Sequence, residues 1–325
     1  MGKQTVYNKM MKNRVIGVVG IGAENSNWNA DFEGNPKTNL DKFVGSPFAL
    51  KYAYRNYWNE KNLPLLFFKS YKKDKKNNYI PKSLDDRLDD FIDKKDEVQD
   101  IQRKVFKCID VSCFGGAFAS KKFNKSYTGA IQFNVGVNLY EDAEAIRDNV
   151  LSPFQNANKE DSKQSTIGSR AYLIEGHFFY DFIINPFVYN SLTAQDSELE
   201  AFTVDTYNKF KEASLQCANT LNSVAKKGCY NEFALFIELK EGSLRLVGGL
   251  SKYIKFTKNN EEKNVIDLTN LMETINPLVD DIKSIEIYYN PVDSELIIPN
   301  DTAVKDLKIE NILKSNQVID FTKLV

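Results

Sequence analysis

The chain has 325 residues, with 43 basic side chains, 44 acidic side chains and 42% hydrophobic residues, a composition typical of a globular protein and unlike that of disordered or fibrous chains. Its longest apolar stretches, residues 15–21 and 63–68, are much shorter than the roughly 20 residues that a membrane-spanning helix requires. No apolar signal segment follows Met1, so we expect a cytoplasmic protein that does not cross a membrane.

The cysteine and histidine content excludes several kinds of site. The four cysteines match no zinc-binding pattern and are too few for a disulfide framework, so we expect reduced, partly buried thiols. The single histidine, His177, lies in an apolar run and is expected to be a hydrogen-bonded core or edge residue. The sequence has no GxxxxGK[ST] loop and no dinucleotide fingerprint, so we expect neither a cofactor nor a bound metal.

Charge is distributed unevenly along the chain. Residues 1–170 carry 28 basic and 21 acidic side chains, a balance of +7, whereas residues 171–325 carry 15 and 23, a balance of −8. Such asymmetry fits a polyanionic partner for the basic half, or head-to-tail stacking of copies in which opposite charges meet. A solvated surface that bears both signs is the alternative.

The first predicted elements are a buried strand, a long loop and a helix. The β-branched run at residues 15–21 predicts the strand. The polar stretch that follows, residues 23–44, is longer than a structural connection needs and is therefore a candidate functional loop. A Ser-Pro pair predicts a helix over residues 46–59, and its apolar face leaves Lys51 and Arg55 one turn apart on another face.

Lysine-rich and charged segments follow this helix. Residues 71–78 are a predicted Lys/Asn-rich surface loop, and the five lysines from Lys69 to Lys76 could contact phosphate or could simply be solvated. Residues 84–107 are predicted to form one charged amphipathic helix, and residues 108–119 are predicted to form a strand.

The clearest alternation of apolar and polar residues lies at residues 129–140. It predicts a strand with one buried face and with the amides of Gln132 and Asn134 on the other. Further along, residues 152–169 are too numerous and too polar for a simple hairpin turn, and they predict a protruding, mobile arm. Phe154 is the most prominent apolar side chain of that arm.

The second half of the chain completes an α+β pattern. The predicted elements are a strand at residues 172–184, a helical region at 195–224, a hairpin formed by 232–241 and 244–250, and a strand at 284–289. The overall order of strand, helix, two strands, helix and strand is the split βαβ arrangement, also called ferredoxin-like.

Several segments resemble one known family. Residues 46–55 are similar to the Ser-x-x-x-Leu-Lys-x-Ala-aromatic-Arg helix of the backbone subunit of Cascade, the CRISPR interference complex. Residues 127–133 resemble the Thr-Gly-aliphatic-Gln-Phe strand of that family, and residues 110–117 resemble its Asp-Val-x-x-Phe-Gly segment. With the first strand and residues 184–186, which fit the type I-B branch, the resemblance covers residues 14 to about 190.

The resemblance implies a palm with a ferredoxin-like fold of the RNA-recognition type over residues 1–325, a finger-like insertion at residues 61–125 and a long thumb at residues 141–170. It also implies a non-catalytic subunit whose copies stack head to tail along a crRNA guide in a type I-B Cascade antiviral complex. Other Cascade subunits are then partners, and target DNA is contacted indirectly. The predicted RNA-binding residues are Asn25, Asn27, Ser46, Phe48, Lys51, Arg55, Gln132, Asn134, Phe154 and Arg170.

The chemistry of these residues suits that task. A subunit that leaves the guide bases free to pair must hold phosphates and sugars. Lys51 and Arg55 fit because two cations beside a helix N-terminus favour an anion, although an exposed basic helix edge is the alternative. Phe154 or Ile167 could be a wedge between bases, or Phe154 could pack in the core. The side chains of Gln132 and Asn134 could hydrogen-bond the RNA backbone, or they could simply be solvated.

Two other functions stay open at this point. The first is a type III-like backbone subunit that cleaves target RNA, because relatives there carry an aspartate in the loop after the first strand and Asp31 lies in a comparable loop here. The second is a protein-interaction scaffold that binds no nucleic acid.

Overall fold

The computed structural model describes residues 9–155, 165–299 and 306–315. The strands are β1 (Val15–Ser26), β2 (Thr38–Asn39), β3 (Lys42–Gly45), β4 (Tyr71–Lys73), β5 (Tyr79–Pro81), β6 (Gly115–Ala119), β7 (Asn124–Thr128), β8 (Ile131–Phe133), β9 (Gly136–Asn138), β10 (Ala145–Gln155), β11 (Ser165–Ile184), β12 (Cys229–Leu239), β13 (Lys255–Lys258), β14 (Asn264–Asp267), β15 (Ile282–Tyr289), β16 (Ser294–Ile297) and β17 (Leu307–Asn311). The α-helices are α1 (Pro47–Glu60), α2 (Leu84–Asp89), α3 (Val98–Phe106), α4 (Ile109–Phe114), α5 (Asn190–Gln195), α6 (Val204–Ser214) and α7 (Thr269–Ile275). The predicted α+β class is confirmed.

A central, mostly antiparallel sheet organises these elements. Its inner strands lie in the order β12, β1, β11 and then β8 with β9, and each is antiparallel to its neighbour. In the chain, α1 lies between β1 and β8, and α6 lies between β11 and β12. β15 and β17 extend one side of the sheet, and β3 and β2 extend the other. Because β1 is central and covered on both faces, its sequence is a nearly unbroken apolar run.

Two apolar cores lie on opposite faces of the sheet. α1, α4 and α6 cover one face with an aromatic core, in which the rings of Tyr54 and Phe210 stack at 5.2 Å. α7, β13 and β14 cover the other face. Close strand packing requires glycine at Gly17, because a Cβ there would lie 2.1 Å from the carbonyl oxygen of Leu235. The four cysteines are free and buried.

No α-helix in the three described ranges has both the length and the apolar character that crossing a membrane demands.

The segment predicted as one helix over residues 84–107 is instead two helices, α2 and α3, separated by residues 90–97. Ion pairs hold the interruption in place, since the ammonium of Lys104 lies 2.7 Å from carboxylate oxygens of both Asp93 and Asp96. Residues 93–97 are all charged, so the apolar pattern lapses where the helix breaks.

Two predicted strands also differ from the structure. Residues 108–119 begin as the helix α4, which ends at Gly115, and only the remainder forms β6. Gly115 has a φ of +71°, which glycine adopts at little cost, so the chain can reverse there. Residues 129–140 contain two short strands, β8 and β9, rather than one. Val135 lies between them and is 43% exposed, contrary to the predicted alternation.

The C-terminal predictions need a similar correction. The helical region predicted over residues 195–224 consists of the end of α5, then α6 and a short 3-10 turn. Residues 244–250 do not pair with β12 as a hairpin, because β15 takes that position in the sheet. Pairing between segments so far apart in the chain leaves no trace in a local pattern.

The region predicted as a mobile arm contains regular structure. β11 is one continuous strand that pairs with β1 within the sheet and with β10 beyond it. We call β10 and the part of β11 that pairs with it, residues 165–173, the arm hairpin. Its tip, residues 156–164, lies outside the described residues.

His177 lies on β11 in a buried cluster of charges. Its Nδ1 is 2.7 Å from a carboxylate oxygen of Glu232, and its Nε2 is 3.0 Å from one of Glu175. Glu175 also pairs with Lys258 at 2.6 Å, and the ring of Phe256 stacks on the imidazole at 4.2 Å. The predicted role of a hydrogen-bonded core histidine is confirmed.

This cluster predicts a pH-dependent stability. Burial opposes protonation of His177, but the charge of Glu232 and the hydrogen bonds to Glu175 and Glu232 outweigh it and raise the histidine pKa from 6.5 to about 9. The stabilisation is therefore complete below about pH 6.5 and is lost as the pH rises through about 9. We expect the thermal midpoint to fall between pH 7 and pH 10, and Glu232→Gln to reduce that decline. An equal decline in the variant and the parent would contradict this assignment.

Candidate nucleic-acid interface

Helix α1 presents several of the predicted site residues. Ser46 caps its N-terminus, since the serine hydroxyl accepts a hydrogen bond from the amide of Ala49 at 3.2 Å. The apolar residues at helical spacing are buried against the sheet. Phe48 and Tyr52, in contrast, are 81% and 53% exposed, so the opposite side of the helix presents aromatic rings to solvent.

Arg55, one of the two predicted cations on α1, is part of a buried ion pair. Its Nε donates to the carboxylate of Asp110 at 3.1 Å, and the Asp110 side chain is completely buried. The same carboxylate accepts hydrogen bonds from the amides of Leu66 at 3.0 Å and Phe67 at 2.8 Å. Arg55 thus ties α1 to α4 and to the segment that follows α1. This structural role was not foreseen, and RNA binding by Arg55 stays a prediction.

Lys51 lies one turn before Arg55 and forms no ion pair with a carboxylate among the described residues. Its ammonium is 5.2 Å from the centroid of the Phe114 ring, and the Arg55 guanidinium is 5.3 Å from the same centroid. Burial lowers the pKa of Lys51, and the positive charge of Arg55 lowers it further. A phosphate beside Lys51 would relieve that repulsion, so Lys51 is the better placed of the two cations to bind an anion.

The loop after β1 is fixed to α1 and to the arm hairpin. The side-chain oxygen of Asn29 accepts the amide of Ser46 at 2.6 Å. The side-chain amide of Asn27 donates to the carbonyls of Gly34 at 3.1 Å and Ala171 at 3.2 Å, and Asn27 is only 3% exposed. Asn27 therefore holds the loop together from inside, and RNA contact by Asn27 stays a prediction.

Arginines lie at the base of the arm hairpin. Arg170 donates to the carbonyl of Asn25 at 2.8 Å and lies 4.7 Å from the centroid of the Tyr172 ring. Asn25 is exposed and has a φ of +46°. Arg147, on β10, is exposed and contacts the side chain of Asn35 at 3.5 Å. The sequence analysis missed Arg147, because only strand pairing places it beside the loop.

Gln132 and Asn134 do not join this group of residues. Both are exposed, but their neighbours Ile131 and Phe133 pack in the core beneath α1. Alternation therefore directs the two amides to the opposite face of the sheet, where they line a groove with Asp181. The structure thus divides the predicted RNA-binding residues between two faces.

The predicted wedge residues lie on the arm hairpin. Phe154 is near the end of β10 and Ile167 is near the start of β11. The side chains of both residues are outside the described part of the structure, so the predicted wedge stays a prediction.

Asp31 closes its own turn in the loop after β1. Its Oδ1 accepts hydrogen bonds from the amides of Glu33 and Asn35, each at 2.9 Å. Desolvation tends to raise the pKa of Asp31, but the hydrogen bonds, that from the Asn35 amide first, outweigh it and lower the pKa. Within residues 9–155, 165–299 and 306–315, no three His, Cys, Asp or Glu side chains are grouped to hold a metal ion.

Loss of the ion pair between Arg55 and Asp110 should destabilise the protein much more than loss of the Lys51 side chain. Asp110→Asn removes the charge that compensates Arg55, so we expect the free energy of unfolding to fall by about 3 kcal/mol. Lys51→Ala removes a cation without a carboxylate partner, so we expect a change within about 0.5 kcal/mol. Urea unfolding of both variants measures these values. Equal stability of Asp110→Asn and the parent would show that the ion pair does not hold α1.

Comparison with known proteins places the chain in a family. A family model described as CRISPR-associated protein Cas7 matches residues 13–275. Among solved structures, a chain of a "CRISPR RNA-guided surveillance complex, pre-nicking" is similar, with a TM-score of 0.49 and 13% identity, covering 93% of this chain and 98% of that one. A chain of a "CRISPR RNA-guided surveillance complex" has a TM-score of 0.43 and 15% identity, covering 92% and 96%. No curated protein matches. Because the family model matches most of the length of this chain, the chain belongs to the Cas7 family of CRISPR-associated proteins.

Proposed function

We propose that this chain is a non-catalytic backbone subunit that binds a crRNA guide in a type I-B Cascade complex in the cytoplasm. Copies stack head to tail along the guide and meet other Cascade subunits, and target DNA is contacted indirectly, through pairing with the guide. Membership of the Cas7 family supports this proposal, as do the motifs on α1, α4 and β8.

The proposed architecture is a ferredoxin-like palm with a finger region at residues 61–125 and a thumb at residues 141–170. The antiparallel order of β12, β1, β11 and β8 supports the palm, because the split βαβ arrangement produces that order. The arm hairpin supports the thumb, since β10 and the start of β11 extend past the strands of the palm.

The uncompensated cation of Lys51 is the observation that carries the proposal. Lys51 lies half-buried on the flank of a helix whose N-terminus is hydrogen-bonded to the polar loop. The same loop reaches Arg147 at the base of the arm hairpin, and the end of β1 just before the loop reaches Arg170. Helix amide groups and several cations at one location favour a chain of phosphates over a neutral ligand, and phosphate contacts leave the guide bases free.

A charge-reversal variant tests the proposed contact between Lys51 and a phosphate of the guide. Lys51→Glu places a carboxylate where we propose a phosphate, so we expect much less co-purified guide RNA, measured from the ratio of absorbance at 260 and 280 nm and by sequencing. The slope of log affinity against log salt should fall by about 0.7 for each phosphate that the variant no longer neutralises. Lys255→Glu is the matched control, because Lys255 is exposed on β13 on the opposite side of the sheet. Equal RNA recovery from all three proteins would overturn the proposal.

The absence of catalysis is tested separately. The carboxylate of Asp31 accepts hydrogen bonds within its own turn, which supports a structural role. We therefore expect target RNA to stay intact when it is incubated with the guide-loaded complex and Mg²⁺, both for the parent and for Asp31→Ala. Cleavage by the parent that Asp31→Ala abolishes would instead establish the ribonuclease function.

A further inference from the structure

The β4–β5 hairpin carries a second surface that combines aromatic rings and basic groups. Residues 71–78 are predicted as a surface loop whose lysines contact phosphate or are solvated, but residues 71–73 form β4, which pairs antiparallel with β5 at residues 79–81. The turn between the strands is fixed by Asp74, whose carboxylate accepts the amides of Lys76 and Asn78, both at 2.8 Å. The hairpin is therefore an ordered projection.

One face of this hairpin holds two tyrosines and two lysines. Tyr71 and Lys73 alternate on β4 and so share a face, and Lys73 pairs directly with Tyr79 across the hairpin. Tyr71 is 51% exposed and Tyr79 is 72% exposed. The ammonium of Lys69 lies 5.1 Å from the Tyr71 ring centroid, and that of Lys73 lies 5.5 Å from the Tyr79 ring centroid. We call these four residues the hairpin face.

The lysines on the two sides of the hairpin differ in whether a carboxylate pairs with them. On the other side, Lys72 pairs with Asp86 at 2.6 Å and anchors the hairpin to α2. Lys69 and Lys73, on the hairpin face, form no ion pair with a carboxylate in the part of the chain that the structure describes. The hairpin face therefore offers solvent-exposed aromatic rings, each with a lysine ammonium beside it that has no carboxylate partner among the described residues.

We propose that the hairpin face binds a single-stranded polynucleotide, with bases stacked on Tyr71 and Tyr79 and phosphates paired with Lys69 and Lys73. Every base has an aromatic face, so such a surface tolerates any sequence. An acidic protein segment would use the lysines but would leave two exposed rings without a function. This surface includes none of the residues proposed to hold the guide, so it goes beyond the proposed function.

Fluorescence anisotropy with short labelled strands of mixed sequence tests the proposal, with RNA in one series and DNA in another. The full-length chain is freed of co-purified nucleic acid and carries Lys51→Glu in every sample, so that the proposed guide contact does not contribute. Tyr71→Ala with Tyr79→Ala should weaken binding about tenfold or more, because both stacking surfaces are removed. The double Phe variant keeps the rings and should bind as the parent does.

The same hairpin offers a matched control. Ile80 is 37% exposed and pairs with Lys72 on the other face, so Ile80→Ala should leave strand binding unchanged. An abasic strand of equal length should bind the parent weakly, since it retains the phosphates and lacks the bases. Binding of either RNA or DNA that follows this pattern supports the proposal.

Two results would overturn the proposal. One is that the double Ala variant binds the normal strand as tightly as the parent does, and the other is that the abasic strand binds as tightly as the normal one. Recovery of guide RNA from cells is a separate measurement, made without Lys51→Glu, and the hairpin variants should not change it. Failure of the hairpin proposal is thus distinguishable from failure of the guide-binding proposal.

Discussion

The buried ion pair between Arg55 and Asp110 joins α1, α4 and the segment that follows α1. A fully buried carboxylate is costly unless it is compensated, and here a guanidinium and the amides of Leu66 and Phe67 compensate it together. The three groups come from α1, from α4 and from the segment after α1, so their relative positions are linked. The exposed side of α1 is consequently presented in one fixed orientation.

The cations of this chain also differ in whether they have a carboxylate partner. Arg55 and Lys72 each have a carboxylate partner and serve to fasten one element to another. Lys51, Lys69 and Lys73 belong to the same basic half but form no such ion pair within the described residues. The basic half of the chain therefore contains two kinds of cation: structural cations that pair with a carboxylate, and cations such as these three lysines that remain available to a polyanion.

The sequence predicted the elements that local pattern controls and missed those that depend on distant contacts. β1 and α1 were predicted because an apolar run and a serine-proline cap are local signals. The break within residues 84–107 coincides with the charged residues 93–97, a local signal that the prediction of one helix did not use. The burial of Asn27 depends on a carbonyl far along the chain, so it leaves no local signal. Likewise, alternation showed that Gln132 was exposed, but only the packing of α1 shows that it lies on the other face from Lys51.

The continuity of β11 has a mechanical consequence. The strand has 20 residues, which at about 3.3 Å per residue gives a length of about 66 Å. No hinge separates the part that pairs with β1 from the part that pairs with β10. The arm hairpin is therefore a rigid projection whose direction follows from the twist of the sheet. In an assembly of identical copies, a projection of fixed length would set the distance from one copy to the next, so that the protein rather than the nucleic acid determines that spacing.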